Sequence, residues 1–513
     1  MAAPAISFNY IPGSGLVAPI FTFEVNSGGQ YTSVDRIVLI GHKTSSGTMA
    51  LNTPIPVSAQ NQVDSYAGGN SMLREMARIA FQNAPALPLW VMAIDDSALT
   101  ANVRTITIAG TPAVGVGTFE IMGETIQIPV ASTDTVTTIA AAIAAAINTY
   151  YNPLTGAMLP FTATSSAGVV TITAANKGVI FNEIDIYVPT RLIGNVFTGA
   201  SVFTVATTTA GAGTPTTVAT ALAALGDNPA DFVVCPWSDA TSLSAYAAWS
   251  NDVSGRWAWS RQTYGHVWCA AVNNFAGLTT LGLTLNDRHL TVLGCYTAGS
   301  NGTPHPSYLW VTAFASRLFP WLTDVSDGSI SRAHSGLSIQ GVRPPRDASI
   351  WPNYNGRNVL NNSGISTWQV AADGSLQMSK VITTYRTGLS GQPDAVFRDI
   401  QSVYQCAEGL KYIRARLADT LSFKSIVNVN PGSLGSAVTP GDIKATFVGI
   451  YQELCANLVF QDADVFAQLI QVRINPNNPN RVDVFCPMER VNPLDILAVN
   501  ATIYQQFPAQ LAA

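Results

Sequence analysis

The stretch that starts "RIVLIG" at Arg36, continues through "GNSMLREMARIAF" at Gly69–Phe81 and ends "LPLWVMAID" at Leu87–Asp95 reads as strand, helix, strand. Both strands are near-continuous apolar runs, the pattern of strands covered on two faces. Between them Met72, Met76, Ile79 and Ala80 share one helical face. A strand–helix–strand unit of this kind predicts a parallel sheet and an α/β core. The same rhythm returns in "DFVVCPW" (231–237), "GHVWCAAV" (265–272) and "HLTVLGCY" (289–296), with helical stretches near 215–226, 240–253 and 275–287. The two parts together predict a doubly wound sheet.

Between the two parts the texture changes. "VRTITIAG", "GTFEIMG", "ETIQIPVA", "GVVTITA" and "NEIDIYV" are short alternating strands, interrupted by one helix in "STDTVTTIAAAIAAAIN" with an Ser/Thr/Asp cap and an Ile139–Ile143–Ile147 stripe. This segment is expected to be a small α+β domain inserted into the first. Beyond a Gly/Pro/Asn-rich region at about 335–365, "STWQVAADGSLQMSKVIT" forms a hairpin about Asp373–Gly374. Two helices follow, one striped by Val396, Ile400, Val403, Ala407 and Leu410. The other has Thr439 as N-cap, Pro440 as its first residue, and Ile443, Phe447, Ile450, Leu454 and Leu458 along one side. A last hairpin, "IQVRINPNNPNRVDVFCPM" (Ile470–Met488), comes just before the end of the chain. After it, Leu497, Val499, Ala501, Ile503 and Phe507 alternate with polar residues, and Phe21, Phe23 and Val25 do the same near the start. These one-sided strands need a partner, and Pro12 and Pro19 mark the N-terminal one as an edge or an arm.

The boundaries expected are therefore an N-terminal arm (1–30), two parts of the α/β core (31–98 and 196–365), the insertion (99–195), a C-terminal helical and hairpin domain (366–492) and a C-terminal arm (493–513). The composition is 47% hydrophobic and only 11% charged, against roughly 25% charged in typical soluble chains. Disordered chains are charge-rich, so disorder does not explain this. The longest apolar stretch, near Ile139–Ile147, is about half the ~20 residues a membrane span needs. No basic segment followed by an apolar core opens the chain, so no secretion signal is expected. A surface largely covered by neighbouring molecules fits the low charge, because interface cores are depleted in charge; a large α/β enzyme with a low-charge surface fits it too. Net charge is −5, with Lys and Arg scattered, which argues against nucleic acid. The six cysteines are far apart and read as reduced, buried thiols.

Catalytic signatures are missing. "GAGTPTT" at Gly211 begins like a dinucleotide loop, but Thr216 stands where the third glycine belongs. No GxxxxGK[ST] or GxSxG sequence occurs. None of the five histidines has a partner at metal-ligand spacing, and His289 reads as a solvated strand end. Lys411, Arg414 and Arg416 in "KYIRAR" form either a solvated helix face or a docking face for an acidic partner.

Four stretches taken in order carry a resemblance: Ile6–Asn26, Tyr31–Ile94 ("YTSVDRIVLIGHKTSSG…LPLWVMAI"), Val381–Leu417 ("VITTYRTGLSGQPDAVF…IRARL") and Val472–Phe507 ("VRINPNNPNRVDVFCPMERVNPLDILAVNATIYQQF"). Together they resemble the contractile tail sheath proteins of the phage Mu type. The resemblance implies a multidomain α/β protein with a subtilisin-like core without protease activity, an inserted domain on the outside, and terminal β-arms for strand exchange. It implies stacked six-fold rings of the same chain around a tail tube, with the tube protein, baseplate and tail terminator proteins as partners. No cofactor, nucleic acid or membrane insertion is expected. The location implied is the virion tail, assembled in the host bacterial cytoplasm, and contraction drives the tube through the bacterial envelope. On this reading Phe21, Phe23, Val25, Leu497, Val499, Ile503 and Phe507 belong to the arms. Ile470, Val472, Val482 and Val484 form the receiving hairpin, and Lys411, Arg414 and Arg416 face the tube. Another virion structural protein, or an α/β enzyme with an unrecognised site, remains the alternative.

Overall fold

In a computed structural model, which describes residues 35–110, 113–199, 202–296, 302–503 and 505, the central strand is Ile37–His42 (β1), buried at every position. Ile55–Val57 (β2), the helices Gln60–Ala67 (α1) and Met72–Asn83 (α2), and Leu89–Ile94 (β3) follow. β3 pairs with β1 in parallel, from Ile37 opposite Leu89 to His42 opposite Ile94. β2 closes that side antiparallel to β3. The Ser71 side chain caps α2 by accepting from the Arg74 backbone N–H at 3.1 Å, which fixes where the helix starts.

The chain then leaves the core. Ala101–Ile108 (β4), Gly115–Ile121 (β5), Glu124–Val130 (β6), the helix Val136–Asn148 (α3), Phe161–Ser166 (β7), Val169–Lys177 (β8), Ile186–Tyr187 (β9) and Phe203–Thr209 (β10) make two sheets. One has the order β10-β4-β8-β7, the other β6-β5-β9. α3 starts with a capping box between Thr135 and Thr138 and buries Ile139, Ile143 and Ile147. β10 is hydrogen-bonded to β4, so the insertion's sheet continues past residue 195. Its two ends meet where Thr100 and Ala212 exchange backbone bonds of 3.0 and 3.2 Å.

The insertion is bolted to the core by buried polar groups. The Glu75 carboxylate on α2 is fully buried; it pairs with Arg74 and with Arg78 (2.7 Å) and accepts from the Met158 backbone N–H (3.1 Å). Asn176 accepts from the Met72 N–H at 2.9 Å and donates to the Lys43 carbonyl at 2.7 Å. Arg346 pairs with Asp185 and Glu120 of the insertion.

Val218–Ala224 (α4), Phe232–Val234 (β11), Ala240–Ser250 (α5), His266–Val272 (β12), Phe275–Thr284 (α6) and Leu290–Cys295 (β13) complete the core sheet, order β13-β12-β11-β1-β3-β2. Every pairing is parallel except β2 with β3. The strand after the insertion returns to the other side of β1, which makes the sheet doubly wound. Ser307–Leu322 (α7) is buried on almost every side; its first N–H, that of Ser307, donates to the insertion's Glu183 carboxylate at 2.7 Å.

The C-terminal part comprises Tyr354–Asn362 (α8), the hairpin Thr367–Val370 (β14) and Leu376–Lys380 (β15), and Ile400–Leu421 (α9). Ser425–Ile426 (β16), Ala437–Val438 (β17), Pro440–Ala456 (α10), Phe460–Gln461 (β18) and Ala463–Leu469 (α11) come next. Gln471–Asn475 (β19), Asn478–Phe485 (β20) and Glu489–Arg490 (β21) end the series. Gly374 turns the first hairpin with φ +84°, a conformation that favours glycine. α10 is capped as its sequence predicts, with a Thr439–Asp442 capping box and Pro440 first. α9 departs from the expected stripe. It starts at Ile400, and Val396 is exposed, because Asp394 holds the Val396 N–H at 2.9 Å in a turn. Its first half is sunk into the core, where the Tyr404 ring stacks on Phe232 at 4.5 Å. Leu458 also leaves its stripe, with φ +58° beyond the end of α10.

Candidate assembly interface

β19 and β20 pair antiparallel, with Val472 opposite Val484 and Ile474 opposite Val482. A directly opposed pair shares one sheet face; these four side chains are half-buried, and β19 packs on α10. Ile470 is fully buried one residue before the strand, closing α11. The three valines nominated as a receiving surface therefore come together on one face, and Ile470 serves the subunit's own core. Among the described residues this sheet has only two strands. Among the described residues both outer edges keep unpaired backbone groups, a ready template for another strand.

The segment after the hairpin does not complete the sheet. Only β21 pairs, antiparallel to β18. From Val491 to Ile503 the chain runs with no regular pairing. Leu494, Ile496, Leu497, Val499 and Ile503 are each at least 74% exposed. Burying side chains of this size is worth roughly 1.5–3 kcal/mol each, so this run leaves a sizeable stabilisation unused within the described residues. Phe21, Phe23, Val25 and Phe507 lie outside the described residues.

The basic residues of α9 separate. Lys411 turns inward: its ammonium meets Asp35 (2.7 Å), Glu408 (2.6 Å) and Asp231, three carboxylates that are themselves buried. This corrects the expected face, since Lys411 is engaged within the subunit. Burial would lower the Lys411 ammonium, but Asp231, Glu408 and Asp35 hold it well above its usual value. Burial pushes the Glu408 carboxyl up to about 8; Lys411 opposes this rise, and Asp35 and Asp231 add to it. With one cation among three acids, the cluster keeps a proton near neutrality. Arg416 pairs with Glu453 at 2.7 Å on the surface, and Arg414 is exposed.

All five histidines are buried. His289 is not a solvated strand end: its ring lies 4.5 Å from that of Trp257, and Nε2 is 3.2 Å from Asp252. All six cysteines are free thiols; Cys235, Cys269 and Cys295 are buried and the other three half-buried. Among the described residues, the one group of three acids close enough to share a cation is Asp35, Asp231 and Glu408, and Lys411 occupies it.

No protein-family model matches the chain. Over 509 residues the chain is 28% identical to the Mu-like prophage FluMu tail sheath protein of Haemophilus influenzae (strain ATCC 51907 / DSM 11121 / KW20 / Rd), covering 96% of this chain and 98% of that protein. The sheath tail protein of Desulfitobacterium hafniense aligns with a TM-score of 0.46 at 13% identity, over 93% of this chain and 97% of that one. The sheath tail protein of Listeria innocua aligns with a TM-score of 0.45 at 12% identity, over 90% and 93%. The sequence match covers nearly the whole of both chains, so this chain is similar from core through insertion to terminal hairpin to a Mu-like tail sheath protein.

Proposed function

We propose that this chain is the structural subunit of a contractile tail sheath, which polymerises as stacked six-fold rings around a tail tube and shortens to drive that tube through a bacterial envelope. The observation that carries the reading is the end-to-end match to a tail sheath protein, joined to a terminal hairpin with open edges and an exposed apolar run after it. The run and the hairpin are complementary in kind, and we read them as donor and acceptor in neighbouring copies. Main-chain bonds then supply affinity, and alternate side chains set register. The N-terminal arm takes the same role. The insertion lies outward, the exposed face of α9 that carries Arg414 lies toward the tube, and the core's kinship to subtilisin is part of the same proposal. So are the tail tube, baseplate and terminator proteins as partners, and assembly in the host cytoplasm. Negative-stain microscopy of the purified protein tests it: wide striated tubes or stacked rings are expected, and a small closed oligomer overturns it.

A further inference from the structure

The roots of both terminal arms are tied to one helix. Asp35 follows directly on the N-terminal segment, and its carboxylate bonds Lys411 of α9 at 2.7 Å. At the other end of the chain, Asp495 pairs with Lys380, and the same Lys380 ammonium is 3.0 Å from Asp399, the N-cap of α9. Asp399 also takes Arg490 at 3.5 Å, so the chain is held on both sides of the step from β21 into the run. Asp495 and Ile496 border a cavity of about 320 Å³ under α8, where Arg357 and Arg398 add positive charge. Among the described residues, no hydrogen bond or ion pair attaches residues 496–503. Asp399 and Lys411 are twelve residues apart, about 18 Å along a helix, and Tyr404 between them stacks on Phe232 of the core sheet.

We propose that α9 is the common anchor of both arms: Asp35 and Asp495 are the fixed take-off points, and a pull from a neighbouring copy on either arm reaches the core through this helix. This rests on the reading that the arms pair with neighbouring copies. Lys411 and Lys380 are then positioning residues. The C-terminal arm that moves starts at Ile496, and everything up to Asp495 stays with its own subunit. A neutral amide in place of either aspartate removes the pin while keeping its shape.

The test uses full-length chains carrying Asp35→Asn, Asp495→Asn, the conservative Asp495→Glu, and Asp227→Asn as a control at a surface ion pair with Arg261. Critical concentration for tube formation is measured beside the melting temperature of the unassembled subunit. Asp35→Asn and Asp495→Asn should each raise the critical concentration by about tenfold, the factor that 1.4 kcal/mol sets; melting should be unchanged for Asp495→Asn and lowered for Asp35→Asn, which takes one acid from a buried cluster. Asp495→Glu and the control should assemble as the parent does. A chain ending at Asp495 should not assemble. If that truncated chain forms tubes, the arm reading falls and the anchor falls with it. If the truncated chain fails while both asparagine variants assemble normally, the arm reading stands and the anchor is wrong.

Discussion

The seam between insertion and core and the C-terminal end of the chain are both places where distant segments could meet, yet they are built in opposite ways. At the seam, Glu75, Asn176 and Arg346 are buried or half-buried, and each has partners on the other side. At the C-terminal end, among the described residues, the hairpin's edges are open and its apolar follower is exposed. Buried polar groups are costly unless paired, so a seam made of them belongs to a single subunit. Open strand edges and exposed apolar residues are costly until something covers them. The first region is finished within one chain; the second is left open, and on the proposed reading a neighbouring copy finishes it.

The largest effect expected is on assembly. Cutting the chain after Asn492 should abolish tube formation and leave the subunit's melting curve in place; Ile503→Asp should act in the same direction by bringing a charge into a desolvated groove. A truncated subunit that unfolds would show that the run belongs to its own core and would break the contrast. The seam should answer in stability. Glu75→Ala strands Arg74 and Arg78 beside a lost acceptor, and removing one partner of a buried ion pair costs about 3–5 kcal/mol. Urea unfolding of the unassembled subunit reads this, and a loss under 1 kcal/mol would mean the seam is loose.

A smaller effect concerns pH. Burial raises the Glu408 carboxyl to about 8, above its value in the unfolded chain. Between the ordinary carboxylate range and about 8, the folded state holds a proton that the unfolded state lacks. Stability should therefore fall as pH rises through that window. Burial lowers His42, His266, His305 and His334, the last to about 3, so stability should also fall as pH drops below the usual histidine range. Glu408→Gln should flatten the alkaline limb alone; an unchanged alkaline limb in thermal melts across pH refutes the assignment. The smallest effect is at the surface of the same helix. Arg416→Ala removes an exposed pair with Glu453 and should shift subunit stability by no more than about 1 kcal/mol.

The parts of the fold legible in the sequence are those with a local cause. α10 announces itself through Thr439, Pro440 and Asp442, and β1 and β3 through uninterrupted apolar runs. α7 went unseen because a helix buried all round has no stripe, and Pro320 in its last turn obscures it further. The start of α9 was misplaced because Val396 has helical spacing but sits in a turn set by Asp394. At the interface, alternation betrayed the exposed run, and the hairpin followed from its Asn/Pro turn. Lys411 could not be read correctly, since Asp35 and Asp231 approach it from 376 and 180 residues away.

The two backbone bonds that join Thr100 to Ala212 make the insertion a pendant on a stem. Seen from the core sheet, whatever hangs there is one loop, and closing a loop costs little more as it lengthens. Relatives of this chain can therefore exchange the whole pendant, or lose it, without disturbing the strand order. The stem is permissive but the seam beside it is not. A chain with a different pendant must give Glu75, Arg74 and Arg346 new partners or replace them with apolar residues, so the identity of those three positions should change in step with the module that the stem carries.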